Sequence, residues 1–209
     1  MRRRLLTLIL LIACFSTAHA RLPMGVLDRD RFRFGVEWGY TQRFYQHRDY
    51  NFISEEGYRI FDEYSGFNFS ANATVLGVVG YQLTERSNLA LCSGYIGIGK
   101  NNRLVPVLLR YSFYPSGAWS DGLVAFAQGG TAWHEHENYG RQAWLASAGG
   151  GYRIRLGGSC CLDLLLGFKY VYDHPSIPNP EGPGNVPEHN IRGNHARHCA
   201  LDLSIAISF

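Results

Sequence analysis

The sequence predicts an all-β protein, an eight-stranded antiparallel up-and-down transmembrane β-barrel, on three observations. Large apolar residues recur with period two rather than the helical period of about 3.6. The alternate positions are small, polar or charged, and the connecting segments alternate between short and long. Composition agrees: aromatic residues reach 14% and glycine is abundant at 24, a pairing that suits pleated strands more than helices. With 46% hydrophobic and 18% charged residues, the chain can form a packed or lipid-embedded domain.

The N-terminal segment reads as an export signal. Arg2, Arg3 and Arg4 precede an apolar run from Leu5 to Ile12, and Ala18-His19-Ala20 supplies a small-x-small cleavage pattern. Residues 1–20 are therefore expected to be a signal peptide and 21–209 the barrel domain. Leu11-Ile12-Ala13-Cys14 offers a second route, lipidation at Cys14, and both routes lead out of the cytoplasm. No later run approaches the roughly 20 apolar residues of a spanning helix. Residues 1–20 hold three arginines and no acid, so the 20 basic residues fall to 17 against 17 acidic ones. That balance gives no case for a nucleic acid partner.

The strands follow in order. In the first, Phe32, Phe34, Val36, Trp38 and Tyr40 alternate with Arg33, Gly35, Glu37, Gly39 and Thr41. In the second, Phe67, Phe69, Ala71, Ala73, Val75, Val79 and Tyr81 interleave with Asn68, Ser70, Asn72, Thr74 and Gln82. Further strands are expected at 88–99, 104–114, 122–133, 142–155, 161–173 and 194–209. The fourth sets Val105, Val107, Leu109, Tyr111 and Phe113 against Arg110 and Ser112. The seventh sets Leu162, Leu164, Leu166, Phe168, Tyr170 and Tyr172 against Asp163, Gly167 and Lys169. The eighth sets Leu201, Leu203, Ile205, Ile207 and Phe209 against Asp202, Ser204 and Ser208. The third and fifth, rich in glycine and alanine, declare no face.

Joins at 84–87, 115–121 and 156–160 are compact, whereas 43–66 and 174–193 are long, with 100–103 and 134–141 on the same rim. Short turns on one side and longer loops on the other are what a lipid-spanning barrel shows, because only closure satisfies every backbone amide in hydrocarbon. Trp38, Tyr40, Trp144, Tyr152, Tyr170 and Tyr172 fall near strand ends, where aromatic girdles sit. The competing reading is a soluble, lipocalin-like barrel with its large apolar face inward. Its outer face would carry many Lys and Glu, yet the chain has only Lys100 and Lys169. A polar lumen is expected instead, with Arg33, Glu37, Arg110, Arg153, Arg155, Asp163, Lys169 and Asp202 pointing inward and pairing. Eight strands leave an interior that side chains fill, which disfavours a general diffusion pore. The lipid-facing substitution Leu203→Arg should then be costly and the lumen-facing Asp202→Asn milder.

The signal segment, the eight amphipathic strands and the terminal LDLSIAISF together resemble the small eight-stranded outer-membrane β-barrel proteins of Gram-negative bacteria, the OmpX-like and OmpA-barrel-like members of the porin family. The resemblance is architectural, spans residues 31–209, and is shared by adhesins, structural barrels and lipid-modifying enzymes. It implies the cell outer membrane as location, outer-membrane lipid and lipopolysaccharide as surroundings, and a monomer. It also implies that the C-terminal aromatic, Phe209, is part of an assembly signal read by the barrel-assembly machinery.

Candidate functional residues are few. Trp133 closes the fifth strand, and in the loop after it His134, Glu135, His136 and Glu137 are expected to form a solvated tip. Two imidazoles alone make a weak metal site, although His189, His195 or His198 could approach from the fourth loop. A nucleophilic triad needs a Ser beside a His. His134, His136 or His198 as base and Ser65, Ser70 or Ser147 as nucleophile match no motif of the lipid A deacylases and acyltransferases. No cofactor is expected. The even set of Cys92, Cys160, Cys161 and Cys199 leaves pairing open, with Cys160-Cys161 too close for an unstrained bridge. The 43–66 segment is aromatic and charged and 174–193 is proline-rich, either a stiff loop or a disordered one, so an extracellular ligand would meet these two. The resulting expectation is a structural or surface-interaction barrel, with a lipid-A-modifying hydrolase as the alternative.

Overall fold

The computed structural model describes residues 31–54, 56–99, 102–134 and 142–209. The expected signal peptide, Cys14 and the loop residues Glu135, His136 and Glu137 lie outside them. Eight strands close into one antiparallel barrel in sequence order: β1 Phe32–Ile53, β2 Arg59–Thr84, β3 Ser87–Gly97, β4 Arg103–Phe113, β5 Gly122–His134, β6 Ala143–Gly157, β7 Cys160–Asp173 and β8 Ile191–Ser208. Closure is made by β1 against β8, from Gly35 opposite Ser208 up to Phe52 opposite Ile191.

The expected faces hold in the strands with strict alternation. Trp38, Leu109, Leu166 and Leu203 are more than half exposed on the outside. Arg33, Glu37, Arg110, Arg153, Asp163 and Lys169 are buried inside. A closed barrel with an apolar exterior and a charged interior needs hydrocarbon around it, since in water this outer surface would remain an uncovered apolar belt. Arg155 departs from the expectation and is exposed. It shares the inward phase of Arg153 but lies beyond the last β5 pairing, Gly122 opposite Arg153, and its guanidinium reaches the Gly158 carbonyl at 3.4 Å in the turn.

Two further corrections concern the long connections. Residues 43–66 are no free loop: β1 and β2 continue as a paired hairpin to Ile53 opposite Arg59. The alternation was hidden because the register slips around Phe44, between Arg43 and Tyr45. Below the slip even-numbered residues face outward; above it they face inward, so Tyr50 and Phe52 become buried. The tip is a tight turn closed by Ser54 N–H to the Tyr58 carbonyl at 2.9 Å, with Gly57 at φ 88°. Residues 174–190 are ordered against the inner face of this hairpin. Val186 N–H donates to the Ile177 carbonyl at 2.9 Å, and both residues pack with Tyr50, Phe52 and Ile191.

The lumen is not wholly polar. Leu76, Ile96, Ile98, Leu104, Leu108, Leu145 and Val171 form a buried apolar cluster within it. Much of this cluster comes from β3 and its neighbours, where small residues concealed the inward phase. Elsewhere ion pairs stack along the axis. Arg153 holds Asp163 in a two-pronged contact at 2.6 and 2.7 Å and also donates to the Ala118 carbonyl, tying the 114–121 turn beneath the barrel. Glu37 meets Arg110 at 2.6 Å and Ser204 at 2.8 Å, and Lys169 meets Asp202 at 2.8 Å. Phe126 fills the space that side chains at Gly149 and Gly167 would occupy, since a Cβ at either would lie 2.9 Å from its ring.

Candidate functional site

At the long-loop end, three strand termini converge on one carboxylate. Asp173 closes β7 and is fully buried. It stands in the same inward phase as Asp163 and Lys169, so its place in the lumen is legible in the sequence. Asn102 Nδ2, just ahead of β4, donates to Asp173 Oδ2 at 2.5 Å. His198 Nε2, inward on β8, lies 3.4 Å from Asp173 Oδ1. His134 Nε2, at the last residue of β5, lies 4.0 Å from Oδ2 with its side chain 7% exposed. His134 is thus inside the barrel mouth and not part of a solvated tip. Its parity matches that of Ala132, which is fully buried, so the barrel's inward phase carries through to it.

His174, His189 and His195 do not join. His195 faces outward, stacked on Tyr172 at 5.9 Å between ring centres with Tyr172 Oη 2.7 Å from Nδ1. His174 packs edge-on against both rings, and its Nδ1 contacts the Asn194 carbonyl. His189 lies in the 3-10 turn Glu188–Asn190. Among the described residues no group of three or more His, Cys, Asp or Glu is arranged to hold a metal ion.

The proposed nucleophiles are elsewhere. Ser65 bonds Tyr45 Oη at 2.7 Å on the projecting hairpin. Ser70 sits opposite Arg43. Ser147 accepts from Gln128 Nε2 at 2.8 Å in mid-lumen. The described part of the outer mouth therefore holds a buried carboxylate flanked by two imidazoles but brings none of the three serines to it. The four thiols Cys92, Cys160, Cys161 and Cys199 are unbridged.

Above this cluster the hairpin and the 174–190 segment form one body. Tyr58 Oη donates to Glu181 Oε1 at 2.5 Å, which joins the hairpin tip to the proline-rich segment and raises the Tyr58 phenol above its ordinary range. Arg48 pairs with Asp62 at 2.8 Å and lies over the rings of Tyr50 and Tyr64. On the outer face Tyr45, Phe67 and Phe69 form an aromatic series, with Phe67 and Phe69 both 73% exposed.

A closed eight-stranded barrel with a lipid-facing exterior and a packed, charged lumen defines the class of this protein as a transmembrane β-barrel. No family model matches the chain, and no curated protein matches it. Solved structures similar to it include the outer membrane protein OprG from Pseudomonas aeruginosa, at 10% identity and a TM-score of 0.46, covering 85% of this chain and 95% of that one. The N-terminal β-barrel domain of Pseudomonas aeruginosa OprF is similar at 15% identity and a TM-score of 0.37, covering 84% and 97%. The outer membrane protease OmpT from Escherichia coli is similar at 8% identity and a TM-score of 0.37, covering 89% and 98%.

Proposed function

We propose that this chain is an outer-membrane β-barrel with a surface-interaction role, whose working part is the projecting hairpin with its packed cap. The observation that supports this most is the contrast between the two regions. The lumen is occupied by paired charges and apolar side chains, whereas β1 and β2 extend well past the apolar belt as a stiff, aromatic and charged platform. Order matters for recognition, because a rigid platform loses little conformational entropy when a partner docks. The partner is a surface component of another cell or an extracellular macromolecule.

The lipid-modifying alternative is separated by one comparison. Lipopolysaccharide from cells with and without the gene should have the same mass; a uniform difference of one acyl chain would replace this reading with a hydrolase. Trimming residues 47–64 to a two-residue turn should leave a heat-modifiable barrel in the membrane but remove attachment of the cells to protein-coated surfaces. Undiminished attachment would count against the platform.

A further inference from the structure

At the short-turn end, opposite the site above, lies a cavity of about 60 Å³ lined by Arg33, Asn88, Arg110, Ser112, Arg153 and Asp163, among others. On that measure a single water needs roughly 10–15 Å³, so the space admits a small polyatomic ion with some water but no sugar or nucleotide. Among the described residues the charges around it do not cancel. Arg153 is matched by Asp163 and Arg110 by Glu37, but Arg33, on the inner end of β1, has no carboxylate partner among the described residues. Its guanidinium lies over the Trp119 ring instead. Arg33 Nε and Arg110 Nη2 are both buried donors without an acceptor.

Buried donors are almost always satisfied, and a buried cation without a counter-charge is costlier still. Water alone would supply acceptors but not charge. A small oxyanion supplies both, and guanidinium groups meet its oxygens with strong, charge-assisted bonds. We infer that this cavity is a binding site for a small oxyanion of the phosphate or sulfate kind, held between Arg33 and Arg110. Tyr114, at the head of the 114–121 turn that Arg153 ties through the Ala118 carbonyl at 2.7 Å, also lines it. The site faces the short-turn rim, so it is independent of the surface platform and stands whether or not that reading holds.

The test is calorimetric titration of the folded, detergent-solubilised barrel with inorganic phosphate, and separately with sulfate, in a chloride-free buffer. One saturable site per chain is expected. Arg33→Gln should weaken it about ten- to a hundred-fold, the range for losing a charged hydrogen-bonding partner. Arg33→Lys, which keeps the charge, should weaken it less, and Arg197→Gln on the outer face should change nothing. If Arg33→Gln does not fold, wild-type unfolding decides: phosphate should raise its midpoint, and no rise overturns the site. Undiminished binding by a folded Arg33→Gln also overturns it. Phosphatidylglycerol in the micelle should not compete; displacement of phosphate by this lipid would place the anion site on the lipid-facing surface and overturn the proposal.

Discussion

Lys169 Nζ lies 2.8 Å from Asp202 Oδ2 and 3.2 Å from Thr41 Oγ1, so one buried ammonium joins β7, β8 and β1 at the closing seam. Thr41 Oγ1 in turn donates to Asp202 Oδ1 at 2.5 Å. The seam is therefore locked from inside by charge as well as by backbone pairing.

Lys169→Met should destabilise the barrel by about 3–5 kcal/mol, because Asp202 is left with its charge and only a hydroxyl for a partner. Asp202→Asn, expected from sequence to be mild, should be costly for the same reason, since Lys169 is 1% exposed and would lose its counter-charge. Urea unfolding in lipid vesicles measures both. The double variant Lys169→Met/Asp202→Leu should recover much of the loss.

Leu203→Arg should cost about 2–4 kcal/mol if the side chain meets the bilayer midplane. Leu203 is 64% exposed on the outside of β8 and stands next to Asp202 in sequence with opposite facing. Vesicle unfolding reads the loss. In detergent the cost should shrink, because an Arg head reaches water easily across a micelle.

Tyr58 is 51% exposed at the hairpin tip, so its bond to Glu181 acts as a clasp and not as a fold determinant. The bond to Glu181 raises the phenol pKa in the folded state. A raised value means that the clasp's stabilisation is complete below the ordinary phenol range near 10 and is lost as pH rises through the folded value. Spectroscopic tyrosine titration of wild type against Tyr58→Phe should show one late-titrating phenol missing in the variant. Protease nicking within 174–190 should be faster in Tyr58→Phe at neutral pH.

Phe209 N–H donates to the Phe34 carbonyl at 2.8 Å, and Phe34 N–H returns to the Phe209 carbonyl at 3.3 Å. Deleting Phe209 removes this final pair of closing bonds and an aromatic side chain 59% exposed to the surroundings. The expected outcome is reduced outer-membrane abundance with loss of the heat-modifiable band. Phe209→Tyr should accumulate normally, because it keeps the ring and the backbone bonds.

Strict alternation made the faces of β4, β7 and β8 legible in the sequence, and parity alone placed most lumen charges. Partners were not legible, because Glu37 on β1 reaches Arg110 on β4 across the lumen, and such pairs exist only once the cylinder closes. The hairpin was missed for a local reason: one slip at Phe44 inverts the parity of every β1 residue above it, while β2 keeps its own. The outer cluster was missed at its boundaries. His134 is the terminal residue of β5, and a strand ended one residue early, at 133, turns its inward side chain into a loop residue, whereas Asp173 fell within the expected strand 161–173 with its inward phase unread.

That boundary decides the last prediction, on His134. A solvated loop residue could be replaced at no cost, but His134 and His198 flank a carboxylate with no solvent exposure. His198→Ala should destabilise the barrel by about 1–3 kcal/mol, the cost of leaving a buried acceptor under-satisfied. His134→Ala, at the longer distance of 4.0 Å, should cost less. Each loss should shrink when Asp173 is already Asn, with a coupling of roughly 0.5–3 kcal/mol in the double-mutant cycle. Independent, additive losses would mean that the imidazoles merely fill space beside Asp173. Added Zn²⁺ should leave the unfolding midpoint of wild type unchanged; a rise that saturates near one equivalent and vanishes in His134→Ala would show that the mouth holds a metal.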